Sequence, residues 1–469
     1  MMDYSLQQLF QDVRNGNYEV LSANLNQNGH RIAALQRELH ADSRLVDDKS
    51  LKVSIESQNF QFSGKSWTRF TMMLVSFLQY CRDVNPWSTW ESCDLIFKFY
   101  QDLSNCLLND NYPTDCLVPL FMEMTEYVVP ISIELDVNYM ALKTDKNQFV
   151  SHTSSIISKV FNSVKPSRSA DDDDQERPTS SLPEKQRILL YLVNKLVNLY
   201  FRIQAPQLCS NIFKNFKPKS MASSFRTYPI KQQIEYRYLL GRYYLLNHRV
   251  TNAFVQLSTA FNELVSITST TDAPQVGRNL SRILRYLVPA GLIMGKIPRF
   301  DFISVMDSEL SSKYSVLYQC IRSGKISGLN HWLKNHERQL CEEHLLLLLL
   351  EKLPMICYRN LVKTVLLNFV IPQNTGKLPY ATLETAMKLS IGDTHIKGID
   401  IYSSIHSPAN VENVLVTLIN LGLLRGNCFP ELSLCVVKKT QVICDILPLV
   451  QDRIVANFPL NPEDSWLDD

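Results

Sequence analysis

Apolar residues return every three to four positions along most of this chain, the spacing that places one stripe on one face of an α-helix. In the first part, residues 71–80 and 93–108 carry it, with Leu95, Phe99, Leu103, Cys106 and Leu107 on one line. A mostly helical N-terminal region over 1–165 is expected, either a regulatory arm or another layer of helices. Residues 186–201 set Ile188, Leu189, Leu192, Leu196, Leu199 and Tyr200 on one stripe, with the basic residues between them. Residues 232–246 and 251–265 read as an antiparallel helix pair joined by the turn Asn247-His248-Arg249-Val250. The second of these aligns Ala253, Phe254, Leu257, Ala260, Phe261 and Leu264, and its small alanines allow a neighbour to approach closely. Gly241 in the first costs roughly 1 kcal/mol relative to Ala, so a close helix contact is the expected compensation. The pair has tetratricopeptide-like grammar, although no strict repeat of about 34 residues recurs. Helices over 278–294, 314–323, 326–335 and 338–353 complete a helical-repeat body spanning 185–354.

The pattern changes after about residue 355. Residues 358–369, 380–390 and 408–421 predict three shorter helices, the last with Ser407 as N-cap and Pro408 at its first position. Residues 423–429 and 432–439 then alternate and hold β-formers on either side of Pro430-Glu431, which predicts a hairpin. Three helices and a hairpin make a winged helix over 355–455, followed by an acidic C-terminal tail at 456–469. The expected fold class is all-α with a small β wing: a tetratricopeptide-like superhelix ending in a winged helix. The stretch 166–184 contains Pro166, Pro178, Pro183 and the acid run 171–174, with almost no large apolar residue. It cannot offset the entropy of ordering and reads as a disordered linker.

Composition adds a location and a partner. With 45% hydrophobic and 20% charged residues, the chain has the balance of a soluble globular protein. Its start shows no basic-then-apolar leader, and its most apolar run, 345–350, is flanked by Glu343 and Glu351, so no membrane span is expected. Eleven cysteines without any C-x-x-C pair read as buried free thiols in a reducing compartment. The net charge of +2 hides an asymmetry: residues 185–300 hold seventeen Lys or Arg against three acids, or +14, leaving −12 elsewhere. Such a block is either a solvated basic face or the seat of an acidic partner.

Motifs for catalysis do not assemble. Gly64-Lys65-Ser66 has the end of a phosphate loop, but Asn59 stands where its first glycine belongs and no apolar parallel strand leads into it. His331, His336, Cys341 and His344 sit at helical spacings that turn them to different faces, and core or polar roles are expected. No G-x-S-x-G, H-E-x-x-H or G-x-G-x-x-G segment occurs. The expectation is a non-enzymatic protein without metal or cofactor. Trp87 and Trp90 beside Pro86 fit either an exposed hot spot or the packing of a helix start, and packing is the expectation; Trp332 is expected in the core.

Cations of the predicted winged helix are Arg359, Lys363, Lys388, Arg425, Lys438 and Lys439. They suit sequence-independent phosphate contact, with partner packing as the alternative. The third helix offers Asn410, Asn413, Thr417 and Asn420 as its polar face, too few donors for base reading in a major groove.

A helical body running into a winged helix, with residues 411–426 as its last helix and wing entry, resembles the PCI-domain family of proteasome-lid, signalosome, initiation-factor and mRNA-export subunits. Residues 232–247, 82–87 and 405–408 are similar, within that family, to PCI subunits of the transcription-and-export complex 2. The resemblance implies a nuclear, pore-associated adaptor. It would pair with a large PCI-like scaffold subunit and a small acidic, disordered subunit shared with the proteasome lid, and bind RNA or DNA on paired winged helices. Within the basic block, Lys214, Lys217, Lys219, Arg226 and Arg237 are then the expected seat of the small acidic subunit. The competing reading is a purely structural PCI subunit without nucleic-acid contact.

Overall fold

Several helices begin where a side chain supplies an acceptor for their free amides. The Gln8 amide donates to Ser5 Oγ, the Asn26 amide to Asn24 Oδ1, the Glu91 amide to Ser88 Oγ and the Leu310 amide to Asp307 Oδ1. A computed structural model describes residues 4–42, 45–62, 64–109, 111–139, 147–166, 182–267, 273–392 and 410–468. Most of the expected linker, 167–181, lies outside the described residues, as do Ser407 and Pro408. The chain forms two compact units, residues 1–233 with 467–469, and residues 234–466.

The first unit is a succession of helices: α1 (Leu6–Arg14), α2 (Leu25–Ala41), α3 (Asp48–Ser57), α4 (Thr68–Asp83), α5 (Thr89–Leu107), α6 (Val118–Tyr139), α7 (Gln148–Ser163), α8 (Glu184–Arg187), α9 (Leu189–Arg202) and α10 (Cys209–Lys219). From α4 to α7 each packs on the next, α7 packs on α9, and α9 on α10. The rings of Tyr80, Phe77, Phe99, Tyr100 and Phe121 are fully buried between them. Tyr100 stacks on Phe121 at 5.3 Å, and its hydroxyl meets Thr125 Oγ1 at 2.8 Å, which satisfies the one polar atom this ring carries inward. The stretch around α6 is long and apolar enough to cross a membrane, but Phe121, Met124, Val128 and Leu135 are buried and the helix packs on α5 and α7, as a core helix does. Gly64 lies in a two-residue hairpin, β1 (Gln61–Phe62) against β2 (Lys65–Ser66), rather than in a phosphate loop.

In the second unit, α11 (Ile230–Leu246, from residue 234 on) and α12 (Val250–Ile267) form the expected pair. A Cβ on Gly241 would stand 2.6 Å from Leu257 Cγ, so the helix contact that its sequence position calls for is present. The body continues through α13 (Ala273–Ile293), α14 (Phe300–Met306), α15 (Ser308–Ser323), α16 (Ile326–Asn335), α17 (Glu337–Glu342) and α18 (Leu346–Val365). Where two helices are expected over 338–353 and 358–369, α18 runs unbroken through Pro354 and ends in a π-turn at Leu366–Val370. One helix therefore serves both the body and the winged helix, and position 355 falls inside it. The acidic end is folded too. The Tyr244 hydroxyl donates to Asp464 Oδ2 at 2.5 Å and the Asn461 amide to Asn252 Oδ1 at 2.8 Å.

After α18 come β3 (Lys377–Pro379), α19 (Tyr380–Ile391), α20 (Val411–Asn420), β4 (Gly426–Phe429), β5 (Leu434–Val437), α21 (Ile443–Ile446) and α22 (Val450–Asn457). The three strands form one antiparallel sheet in the order β3-β5-β4, with Leu378 opposite Cys435 and Cys428 opposite Cys435. Leu378, Cys435, Val437, Leu383, Leu415 and Leu418 close the core beneath it. The molecule is thus a helical-repeat protein with a terminal winged helix. Of the eleven cysteines, all free, Cys116, Cys341 and Cys444 are exposed, contrary to the expectation of burial.

Candidate nucleic-acid interface

Strand register decides which cations meet. Lys377 opens β3 opposite Val436, and the Val437 amide donates to Gly376 O at 2.8 Å. Gly426 pairs with Val437, so Arg425 enters β4 beside the end of β5, where Lys438 and Lys439 leave it. Lys377, Arg425, Lys438 and Lys439 therefore gather at one end of the sheet, and all four are exposed. The acid bonded to this group is Asp445. Lys438 Nζ donates to its Oδ2 at 2.8 Å, and the Arg425 guanidinium reaches its backbone oxygen at 3.5 Å. The Lys438 ammonium holds the Asp445 carboxyl below its ordinary pKa. Among these described residues, four cations against one carboxylate sum to +3.

The remaining winged-helix candidates lie apart from it. Arg359 is a correction: 8% exposed, it donates through Nη2 to Pro448 O at 2.7 Å and Leu447 O at 3.4 Å, so its guanidinium caps buried carbonyls. Burial lowers its pKa, the sign of a cation drawn out of water. Lys363, one turn further on α18, is half-buried. Lys388 pairs with Glu384 at 2.7 Å on α19, about 12 Å along the helix from Tyr380 at 1.5 Å per residue. Lys377 is the residue that sequence reasoning missed; a three-residue strand ending in proline has no readable alternation. The exposed face of α20 holds Asn410, Glu412, Asn413, Val416, Thr417 and Asn420 and no cation. The chemistry available is therefore phosphate contact at the sheet corner rather than base recognition by the third helix.

The second candidate set divides as well. Lys214 and Lys217 stand on the exposed face of α10. Lys219 is instead half-buried, donating to Asn162 O at 3.2 Å and Val164 O at 3.0 Å at the end of α7, with its pKa lowered by burial. Arg226 Nη2 donates to Asp468 O at 2.6 Å. Arg237, 2% exposed, belongs to the second unit and donates to Gln256 Oε1 at 2.9 Å, with Glu263 at 3.7 Å. Arg237 and Lys219 thus serve packing, which corrects their expected role. Among the described residues no group of three or more His, Cys, Asp or Glu is placed to hold a metal ion. Trp332 is buried, its indole N–H donating to Lys313 O at 2.9 Å.

A helical body whose last helix becomes the first helix of a three-stranded winged helix is the architecture of a PCI-domain protein. No protein-family model matches the chain. It is 50% identical over 465 residues, 98% of its length and 99% of the relative's, to nuclear mRNA export protein THP1 of Saccharomyces cerevisiae. It is also 29% identical to a PCI domain-containing protein 2 homolog of Dictyostelium discoideum, over 56% of this chain and 54% of that one. A protein CSN12 homolog of Schizosaccharomyces pombe shares 24% identity over 50% of each chain. The chain belongs to the THP1 family of PCI-domain proteins.

Proposed function

We propose that the protein is an adaptor subunit of a nuclear, transcription-coupled mRNA export complex, binding a PCI-like scaffold subunit and contributing a cationic corner of its winged helix to a nucleic-acid platform. The reading rests on one observation: Lys377, Arg425, Lys438 and Lys439, from three separate chain segments, share one end of the wing sheet. A phosphate backbone needs that kind of charge on one surface and no base-reading side chain. Membership of a family that includes a nuclear mRNA export protein supports the cellular role. Lys214 and Lys217 on α10, with Arg226, are the surface assigned to a small acidic subunit, and association with the nuclear pore would run through the scaffold.

The test is charge reversal in cells. Lys377→Glu with Lys439→Glu should raise the nuclear fraction of polyadenylated RNA and lower crosslinking of the protein to RNA, while the scaffold still copurifies. Unchanged crosslinking with an intact complex would favour the structural-subunit reading. Loss of the scaffold would make the wing a protein interface.

A further inference from the structure

The segment 82–87 ends α4 and leads into α5, and all but its last residues are engaged within the first unit. Buried Arg82 donates through Nη1 to Leu45 O and Val46 O and through Nη2 to Asp48 and Asp83. Gln36 Nε2 donates to Arg82 O and Val84 O at 3.1 and 3.0 Å. The Asn85 amide donates to Ser92 Oγ, Asn85 Nδ2 donates to Glu91 Oε2, and Asn85 Oδ1 accepts the Trp87 amide at 3.0 Å. This bonded turn holds up an indole that touches almost nothing: Trp87 is 94% exposed, and Trp90, in the first turn of α5, is 50% exposed. The expectation that both pack a helix start is therefore wrong for Trp87. From Trp90 an aromatic row runs inward between α5 and α7: Phe149 at 6.1 Å, then the buried Phe97 stacked on Phe149 at 5.7 Å, with His152 at 5.6 Å from Phe97.

An indole so exposed, on a turn that has already lost its freedom, is the arrangement of a preorganised anchor for a partner. Charge identifies the partner. Asp83 is paired with the buried Arg82 guanidinium, so the exposed carboxylates beside the two indoles are Glu91 and Asp94, while the exposed cations of these helices, Lys98 on α5 and Lys159 on α7, lie two turns beyond Trp90 and His152. Asp94 follows Trp90 by four residues and shares its helix face. The two carboxylates beside Trp87 and Trp90 repel phosphate, so stacking of nucleic-acid bases is disfavoured at this end of the row. They favour a cation that also lies flat on a ring, which is the guanidinium. We infer that the Trp87–Trp90 pair is a docking site for an arginine-bearing, partly apolar segment of a protein partner, distinct in kind from the cationic wing.

The experiment uses the full chain and a fluorescent, end-capped peptide of alternating arginine and leucine, with glutamate–leucine and oligouridylate probes beside it, read by anisotropy. The arginine peptide should bind and the others should not compete with it. Trp87→Ala should weaken it about tenfold or more, the loss of a central aromatic anchor, and Asp94→Lys severalfold, with the circular-dichroism melt unmoved in both. Absence of arginine-peptide binding, or equal binding by the Trp87→Ala protein, overturns the proposal. So does oligouridylate binding that Trp87→Ala abolishes, which would mean base stacking. A concentration-dependent dimer that disappears in Trp87→Ala would overturn it in favour of a second copy of the chain.

Discussion

Neutralising Lys377 and Lys439 together removes two of the four cations at the sheet corner without touching its core, since both side chains are exposed. Removing one cation–phosphate pair flattens the dependence of log affinity on log salt by about 0.7 for single strands and about 0.9 for duplex. Removing two therefore flattens it by about 1.4 and about 1.8. Between about 50 and about 200 mM salt, a fourfold change, the advantage of wild type over Lys377→Gln/Lys439→Gln should shrink by about sevenfold on single strands and about twelvefold on duplex. The assay is anisotropy of fluorescent oligouridylate and of duplex DNA with the copurified complex across that series. Lys438→Gln is the internal comparison, because its ammonium is already 2.8 Å from Asp445. It should flatten the slope by less than half as much as Lys439→Gln. An unchanged slope in the double variant with the complex intact would remove the corner from the binding surface. Equal effects of Lys438→Gln and Lys439→Gln would refute the charge accounting.

Further outcomes are expected from the same structure. Arg359→Met should leave the salt slope as in wild type, because its guanidinium faces the carbonyls of Leu447 and Pro448; a flattened slope would return it to the surface. Gly324 has φ +72° and a Cβ there would lie 2.7 Å from the Leu361 backbone. Adding left-handed strain of about 1–2 kcal/mol to that clash, Gly324→Ala should destabilise by about 3 kcal/mol or more, read as a shift in urea midpoint; an effect under about 0.5 kcal/mol would contradict the packing. Burial raises the pKa of Glu343 despite Lys313 and Arg285 nearby. A raised folded pKa favours the folded state below the unfolded value and gives that advantage up as pH rises through the folded one. Glu343→Gln should therefore melt higher than wild type at pH 7 and converge with it near pH 4; a lower melting point at pH 7 would show the ion pairs outweighing desolvation.

The helical pair, Gly241's neighbour and the wing hairpin were legible because each depends on local periodicity or on one missing side chain. The strand Lys377–Pro379 was not, being too short to alternate. The unbroken α18 was hidden by Pro354, which reads as a helix end but is tolerated within buried packing. The fates of Arg359 and Arg237 were illegible for another reason. A guanidinium reads as surface until its acceptors are known, and those of Arg359 come from Leu447 and Pro448, nearly ninety residues away. Trp87 departs in the opposite direction. Tryptophan is usually covered, and only the hydrogen-bonded turn from Asn85 shows that this one is held outward.

The cationic corner is assembled from positions 377, 425 and 438–439, which are neighbours only while β3, β5 and β4 are paired. A peptide cut from any one of these segments carries at most two of the charges. If the corner binds nucleic acid as proposed, binding would be linked to folding: the ligand would withdraw the unpaired sheet from the equilibrium and raise its melting point with ligand concentration. On the proposed role, a lesion that frays the edge strand β3 would lower affinity while leaving Arg425, Lys438 and Lys439 themselves unaltered.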